Sequence, residues 1–357
     1  MTRIGVVGCG YWGSKHTRVF NQMERAELSA VCDLDAGRLE KIRLQYSRVK
    51  TTSNFQEMLD SDIDGIVIAT PANTHYALAK KVLEAGKHVL VEKPLTTSVD
   101  TAQTLIRLAQ EKQLVLMTGH TYQYHPAVEF LRTLLESGEL GELYYVDSAR
   151  LNLGVFQSDI DVLWDLAPHD VSILLYLLGS DPIWVSAEAT AHVNPLLPEV
   201  SYLGLGFPGH VLAHIHVSWL DPMKVRRLTL VGSKRMAVFD DVNPAEQVRI
   251  YDKGVSMSHN GNGQLNPEFF YRHGEVRIPA IRGYEPLERE ATDFVECIES
   301  GATPRSDGVQ GLRVVSVLEA AHESLASRLN DADSSCEGEH EGAPNITDHT
   351  AIPLAPR

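Results

Sequence analysis

The most constraining feature of this 357-residue chain is a glycine-rich turn directly after its first apolar run, residues 4–7. Gly8, Gly10 and Gly13 have the spacing G-x-G-x-x-G, and Asp33 stands twenty residues beyond the last of them. In a strand–turn–helix unit the first glycine permits a tight turn, and the second lets a pyrophosphate approach the backbone. The third lets the helix pack closely on the sheet. The carboxylate can accept hydrogen bonds from a ribose. The pattern therefore predicts a dinucleotide-binding unit.

Asp33 also predicts the type of dinucleotide, because a carboxylate repels a 2′-phosphate. No arginine follows it directly, and Arg38 is expected to face along the next helix. NAD is therefore favoured over NADP. The alternative to dinucleotide binding as a whole is a glycine-rich turn in another α/β protein. We assign cofactor binding to the glycine loop and to the segments after later strands: Gly8, Gly10, Tyr11, Trp12, Gly13, Asp33, Thr70, Pro71, Asn73, His75, Glu92 and Lys93.

The N-terminal part, residues 1–120, alternates short apolar runs with helical periodicity. The runs lie at 4–7, 28–32, 65–69, 88–91 and 114–117. Continuous apolar strands separated by helices predict a Rossmann domain, a doubly wound parallel sheet covered on both faces. Ligands of such a sheet bind beyond the carboxyl ends of its strands.

Residues 121–330 predict a second, α+β domain with a large, mainly antiparallel open sheet. The predicted helices lie near 126–136, 168–178, 286–299 and 308–328. The predicted strands lie near 143–151, 184–193, 202–207, 211–219, 226–231 and 236–240. A Gly/Asn-rich loop is expected at 260–266, and residues 331–357 predict a disordered acidic tail.

Bulk composition argues against several classes of protein. The net charge of −15 argues against nucleic-acid binding. No apolar stretch approaches the roughly twenty residues that span a bilayer. The chain enters its first strand without a signal peptide, so we expect no membrane association and a cytoplasmic location. Its four cysteines, Cys9, Cys32, Cys297 and Cys336, have no metal-binding spacing, and no metal is predicted.

Two local groups of residues carry chemistry. Glu92-Lys93-Pro94 follows a predicted strand, where a lysine would point into the ligand crevice and the proline makes a cis bond possible. An ordinary surface lysine is the alternative.

Asp165 and His169 stand four residues apart, so a helix would bring both to one side. With Pro168 in the first turn, His169 would lie near the helix N-terminus, where the dipole favours a neutral imidazole. Alternatively, Asp165 only caps the helix and His169 is structural.

These motifs, together with Ala69-Thr70-Pro71 and His75, resemble the Gfo/Idh/MocA family over residues 1 to about 328. That family is named for glucose–fructose oxidoreductase, inositol dehydrogenase and a rhizopine catabolism protein. The resemblance implies NAD(P)-dependent oxidation or reduction of a sugar or cyclitol carbon. It also implies an open sheet that often joins subunits, hence a homodimer or homotetramer.

The same resemblance implies that Lys93, Asp165 and His169 form the catalytic group. An imidazole titrates near neutral pH, so His169 is our choice of base. Lys93 would stabilise the negative charge that develops on the same oxygen, or shuttle the proton itself. Asp165 would orient the imidazole or the substrate.

The segments at 150–154, 164–172 and 212–222 resemble a subgroup that acts on nucleotide sugars. This implies oxidation of the 3-hydroxyl of UDP-N-acetylglucosamine or UDP-glucose, with a PLP-dependent aminotransferase as the partner that uses the product. Arg150, Asn152 and Trp164 are the predicted substrate contacts, with Arg150 meeting a phosphate bidentately. Arg150 could equally be a strand residue paired on the surface.

His125 stands where many relatives of the resembled family have asparagine, so no substrate contact is assigned to its loop. Three other functions remain open: an inositol- or aldose-type dehydrogenase, an NAD-dependent glycosidase, and a non-catalytic NAD-binding regulator.

Overall fold

A six-stranded parallel sheet forms the N-terminal half of the computed structural model, which describes residues 1–258, 268–281 and 283–336. Its strands are β1 (Thr2–Val7), β2 (Ala26–Cys32), β3 (Lys50–Thr52), β4 (Gly65–Ile68), β5 (His88–Glu92) and β6 (Leu116–Gly119). The spatial order is β3-β2-β1-β4-β5-β6, so the order reverses beside β1. This parallel strand order confirms the predicted Rossmann architecture. Ligands of open parallel sheets bind where the order reverses.

Helices cover both faces of this sheet. They are α1 (Tyr11–Gln22), α2 (Ala36–Gln45), α3 (Phe55–Leu59), α4 (His75–Glu84) and α5 (Val99–Lys112). The central strands are buried on both sides, and Ile66, Val67 and Ile68 have no solvent-exposed surface. Sequence analysis missed β3 because this short edge strand, Lys-Thr-Thr, carries no apolar residue.

The second sheet has eight strands in the order β14-β13-β12-β11-β7-β10-β9-β8. They are β7 (Leu143–Leu151), β8 (Trp184–Thr190), β9 (Val200–Phe207), β10 (Val211–Ser218), β11 (Val225–Gly232), β12 (Met236–Asp240), β13 (Val248–Ser258) and β14 (Glu268–Arg277). Only the β7–β10 pair is parallel among the described strand pairs, so the sheet is mainly antiparallel, as predicted.

One face of this sheet is covered by helices, and the other carries exposed aromatic and apolar side chains. The helices of this half are α6 (Pro126–Glu136), α7 (Val162–Leu178), α8 (Pro286–Ser300) and α9 (Gly308–Cys336). Helix α7 packs on β7, β9 and β10, whereas α8 packs back against α1 of the first sheet. The two halves therefore meet at the glycine-loop helix. Within the described residues, no helix is long and apolar enough to cross a membrane.

Two predictions about elements were wrong, and two strands were missed. Helix α7 begins at Val162 rather than near Pro168, because the Asp161 carboxylate caps it and accepts a hydrogen bond from the Trp164 N–H at 3.0 Å. Strands β13 and β14 were missed, since these outer strands mix charged and apolar residues on exposed surfaces. Helix α9 continues to Cys336 and includes 331–336, which were predicted to be disordered. The predicted loop at 260–266 and the remainder of the predicted tail lie outside the described residues.

Candidate active site

The glycine loop has the geometry that its spacing predicts. Gly8 has a φ of +89°, and a Cβ on it would lie 2.5 Å from the Ala69 carbonyl oxygen. A Cβ on Gly13 would lie 1.6 Å from the Gly8 carbonyl oxygen, so α1 and the turn touch backbone to backbone. At Gly10 the nearest protein atom to such a Cβ is an Arg38 nitrogen at 3.9 Å. Open space at Gly10, beside the N-terminus of α1, fits a dinucleotide pyrophosphate.

Asp33 lies at the carboxyl end of β2 and is held by the backbone. The Cys9 N–H donates to Oδ2 at 2.5 Å and the Asp35 N–H donates to Oδ1 at 2.8 Å. The Arg38 side chain does not run along α2 as expected. Its Nη1 lies 3.6 Å from Asp33 and its Nε lies 3.7 Å from Asp35, because the two carboxylates attract the guanidinium. Asp33 can still accept ribose hydroxyls, but it has a cation beside it.

The residues after β4 form a short 3₁₀ turn at the same edge of the sheet. Pro71 and Asn73 are exposed there, and the Thr70 hydroxyl is hydrogen-bonded to the Thr74 hydroxyl at 2.6 Å. Tyr11 and Trp12 open α1 with their rings edge to face at 5.5 Å. Pro71, Asn73 and the exposed Tyr11 are therefore within reach of a ligand at this edge.

His75 links the segment after β4 to the segment after β5. Its Nδ1 lies 2.8 Å from the Pro94 carbonyl oxygen and its Nε2 lies 2.9 Å from the Thr70 carbonyl oxygen. Burial lowers the pKa of His75, although both carbonyl oxygens oppose this effect. Since both ring nitrogens are engaged with the backbone, His75 positions the two loops.

Glu92 also turns inward from the end of β5. Its Oε1 lies 2.8 Å from His16 Nε2, and its Oε2 accepts a hydrogen bond from the Lys93 N–H at 3.2 Å. Burial by itself raises the pKa of Glu92, but His16 and Lys93 outweigh it and the pKa is lowered. Glu92 is thus an anion beneath Lys93, in a position to support the lysine.

Lys93 joins the two halves of the molecule. The Lys93–Pro94 bond is cis. The ammonium donates to Asp165 Oδ1 at 3.1 Å and to the Asp165 carbonyl oxygen at 2.6 Å. Asp165 Oδ2 in turn accepts a hydrogen bond from Trp219 Nε1 at 3.1 Å. The structure therefore brings the two predicted catalytic motifs into direct contact.

His169 lies one helical turn beyond Asp165, and its ring meets the Tyr122 ring edge-on at 5.3 Å. Its Nδ1 is buried without a partner in the described part of the chain. Burial first, and then the cations Lys93, Arg150 and Arg226, lower the pKa of His169 well below its usual value. The predicted dipole effect is wrong, since α7 begins seven residues earlier, at Val162. The imidazole is neutral at physiological pH for a different reason.

Arg150 is engaged within the protein rather than open to a phosphate. Its Nε donates to Asp170 Oδ2 at 2.6 Å and its Nη2 donates to Asp170 Oδ1 at 3.3 Å. Its Nη1 donates to the Tyr122 hydroxyl at 3.1 Å, and the residue is 5% exposed. A bidentate phosphate contact would have to displace Asp170 from this buried pair.

The other two predicted substrate residues differ in position. Trp164 is buried in the hydrophobic core, where α7 packs on the second sheet. Asn152 is partly buried after β7, and its backbone N–H donates to the Ser218 carbonyl oxygen at 3.2 Å. A Cβ on Gly154 would lie 3.0 Å from Trp219 and 3.1 Å from the Asn152 amide, so Asn152 adjoins the Asp165 partner. Trp164 is therefore buried within the protein, whereas Asn152 keeps part of its surface exposed.

A cavity of about 250 Å³ lies between the glycine-loop helix and His169. Its lining includes Tyr122, whose hydroxyl donates to Asp241 Oδ2 at 2.7 Å. His125 caps α6 through Nδ1, which accepts from the Ala127 N–H at 3.1 Å, and its Nε2 lies 3.4 Å from Asp241. Sequence analysis missed Tyr122 and Asp241, although Tyr122 follows β6 at the ligand-binding edge of the first sheet.

A second missed group is buried behind Lys93. His120 follows β6, and neither ring nitrogen has a partner in the described part of the chain. Burial lowers the pKa of His120 to about 4. Glu290 of α8 accepts a hydrogen bond from the Thr121 hydroxyl at 3.1 Å, and burial raises its pKa well above the usual value. Burial therefore favours the uncharged form of both side chains. The position of His120 at a strand end was the available signal.

Comparison with known proteins agrees with this geometry. Residues 2–120 match the model of the oxidoreductase family with an NAD-binding Rossmann fold, and residues 128–238 match the Gfo/Idh/MocA C-terminal domain. The chain belongs to the Gfo/Idh/MocA family of oxidoreductases, as the resemblance implied. The N-terminal domain is thus an NAD-binding domain, and the protein is an NAD(P)-dependent oxidoreductase that acts on a CH–OH group.

Individual relatives differ in the molecule named as their substrate. The chain is 30% identical to UDP-N-acetylglucosamine 3-dehydrogenase of Acidithiobacillus ferrooxidans, over 88% of this chain and 94% of that one. It is also 30% identical to inositol 2-dehydrogenase of Rhodococcus erythropolis, over 84% of each chain. The solved structure of the Acidithiobacillus enzyme superposes with a TM-score of 0.75 and 27% identity, covering 91% of this chain and 97% of that one.

Proposed function

We propose that this protein oxidises the 3-hydroxyl of a UDP-hexose, UDP-N-acetylglucosamine or UDP-glucose, with NAD in the cytosol. The observation that carries the proposal is the contact of Lys93 with Asp165, one helical turn from His169, beside a cavity next to the glycine loop. The similarity to a UDP-N-acetylglucosamine 3-dehydrogenase over most of both chains supports a nucleotide sugar as the substrate.

The side chains divide the chemistry among them. Bound NAD supplies the hydride acceptor. His169 accepts the hydroxyl proton, because its lowered pKa keeps the imidazole neutral and ready to act as a base. An ammonium has three N–H donors, and Asp165 takes two of those of Lys93. The third donates to the substrate oxygen and stabilises the negative charge that develops on it.

Asp165 acts by holding Lys93 in place. Its second carboxylate oxygen is fixed by Trp219, so the carboxylate cannot turn away from the ammonium. The fixed carboxylate aims the lysine at a single point above the cofactor domain. Positioning of this kind lowers a barrier without any new bond to the substrate.

Cyclitol oxidation is the second candidate, since an inositol 2-dehydrogenase is equally identical to the chain. The test is a panel of UDP-N-acetylglucosamine, UDP-glucose, free N-acetylglucosamine and myo-inositol with NAD. NADH absorbance is followed in the presence of a carbonyl trap, which removes the product ketone and pulls the equilibrium. Turnover of a UDP-sugar but not of the free sugar or inositol supports the proposal. Turnover of inositol alone assigns the second candidate.

Two partners complete the proposal. A 3-keto sugar is a substrate for transamination, so a PLP-dependent aminotransferase would use the product.

The open face of the second sheet exposes Trp184, Tyr202 and Leu212, each at more than 40% of its surface. A second copy of the chain covering this face would form a homodimer or homotetramer. Sedimentation equilibrium tests this, with Tyr202→Lys expected to give monomers.

A further inference from the structure

The cavity beside the catalytic imidazole has a cationic rim that begins with Arg226. This residue lies on β11 in register with Arg150 of β7. Arg150 is buried in an ion pair with Asp170, whereas Arg226 is paired with Asp241 and keeps 40% of its side-chain surface exposed. Both side-chain hydrogen bonds of Arg226 within the described residues come from Nη1, to the Tyr122 hydroxyl and to Asp241 at 3.3 Å each. Its Nε and Nη2 donors therefore remain for a ligand.

Lys15 adds a second cation from the other half of the molecule. It lies on α1 and lines the same cavity as His169. Its ammonium stands 4.4 Å above the centre of the Tyr11 ring and 5.1 Å from that of Trp12. No ion pair fixes this ammonium in the described part of the chain. A lysine held over aromatic rings beside a cavity is positioned for an anion from solvent.

Lys224 is the third cation, an exposed residue that directly precedes β11 and stands two residues before Arg226. Arg226 and Lys15 meet at the same cavity, because Arg226 is bonded to Tyr122 and Asp241, which line it together with Lys15. Lys15 has the largest effect in lowering the pKa of Tyr11, and Arg226 and Lys224 lower it further. Cations from the two halves of the molecule thus gather at one place in a chain whose net charge is −15.

The acids near this rim are already paired. Glu285 lines the cavity but forms an ion pair with Arg18. Asp241 accepts hydrogen bonds from Tyr122 and Arg226 and contacts His125. The cationic groups therefore exceed the acids that could neutralise them, and the rim is suited to a ligand with two adjacent negative charges.

We propose that Lys15, Lys224 and Arg226 form a diphosphate-binding subsite that holds the nucleotide diphosphate of the substrate while its sugar reaches His169. The inference rests on the proposed function and adds the residues that recognise the nucleotide. Arg226 binds one phosphate through two parallel N–H donors, and the lysines act as point charges on the other. The subsite spans both halves, so the substrate bridges them.

The subsite is distinct from the place of the cofactor diphosphate. That group belongs at the N-terminus of α1 beside Gly10, where the backbone is open. Arg226 comes from the second sheet and is bonded to Tyr122 beside His169. A 2′-phosphate of NADP would instead lie near Asp33 and Arg38, at the end of β2.

The experiment compares Arg226→Gln and Lys15→Met with a matched control, Arg107→Gln. Arg107 is an exposed arginine on α5, where it donates to the Thr104 hydroxyl at 3.1 Å, away from the cavity. UDP binding is measured by calorimetry on NAD-loaded protein, together with kcat, the KM for the UDP-sugar, and NAD affinity.

We expect Arg226→Gln to weaken UDP binding and raise the KM by about ten- to a hundredfold, with a smaller effect of Lys15→Met. The control variant should stay within about twofold, and kcat and NAD affinity should not change. Wild-type UDP binding should weaken as salt is raised, because the rim is solvent-exposed.

Other results would overturn the inference in distinguishable ways. Equal UDP binding by wild type and all variants places the subsite elsewhere and leaves the proposed function standing. A Lys15→Met variant that loses NAD affinity as much as UDP affinity assigns Lys15 to the cofactor and removes it from the subsite. A wild type that binds no UDP and oxidises only inositol refutes the proposed function and this inference together.

Discussion

The two halves of the molecule build their parts of the site in different ways. The first half uses backbone: Gly8, Gly10 and Gly13 shape a turn whose N–H groups and open space fit a pyrophosphate. The second half uses paired side chains, such as Arg150 with Asp170 and Tyr122 with Asp241. Backbone constraints leave a fixed spacing in the sequence, whereas side-chain pairs join residues far apart in it. The part of the site in the first half can therefore be predicted from the sequence, whereas the part in the second half is found only in the structure.

The largest expected effect sharpens this contrast within the glycine loop. Gly13→Ala places a Cβ 1.6 Å from a carbonyl oxygen, so α1 must move and measurable NAD binding should be lost. Gly10→Ala meets no protein atom closer than 3.9 Å, so it should keep the melting temperature of the wild type and still bind NAD poorly. Calorimetry with NAD and thermal unfolding separate the two. Equal behaviour of both variants would contradict the assigned roles.

His169→Gln should come next, lowering kcat by about a hundredfold or more while NAD affinity is kept. Because burial and nearby cations lower the pKa of His169, the base is neutral above that pKa. Wild-type kcat/KM should therefore be flat through neutral pH and fall only in acid, well below pH 6.5. A pH–rate profile that falls at pH 6.5 or higher would show that another group is the base. His210→Gln, in the exposed turn between β9 and β10, is the control.

Arg150→Met tests whether the buried arginine is structural. Removing one partner of a buried ion pair leaves Asp170 unpaired and costs about 3–5 kcal/mol of unfolding free energy. Urea unfolding should show this loss, whereas UDP affinity of the folded fraction should change less than in Arg226→Gln. Normal stability combined with lost UDP binding would restore Arg150 as the phosphate contact.

The smallest effect concerns cofactor choice. Asp33→Ser removes the carboxylate but leaves Arg38, which lies 3.6 Å from it, free to meet a 2′-phosphate. The ratio of NADP to NAD affinity should rise by about tenfold, the scale of one charge-assisted contact. Asp33→Ser combined with Arg38→Gln should cancel the gain. Titrations with NAD and NADP measure the ratio of the two affinities. An unchanged ratio would show that neither Asp33 nor Arg38 contacts the ribose of the cofactor.

These pairs also explain what sequence could not supply. The glycine loop, Lys93 and the Asp165–His169 spacing were predictable, because each follows from local geometry. Arg150 was predicted to bind a phosphate because of its guanidinium. No local sequence pattern indicates that Asp170, twenty residues further on, is its buried partner. Arg226 was overlooked for the same reason, since only the register of β11 with β7 places it at the cavity. The predicted start of helix α7 was too late, because a proline such as Pro168 is typical of the first turn of a helix.

The central claim is that Lys93, held by Asp165, and His169 act on one hydroxyl beside the bound cofactor. Lys93→Met tests it most directly, since it keeps the aliphatic stem and removes only the ammonium. Single-turnover oxidation of the active sugar should slow at least about a hundredfold, while NAD affinity stays within about twofold of wild type. Oxidation at the wild-type rate by this variant would contradict the account.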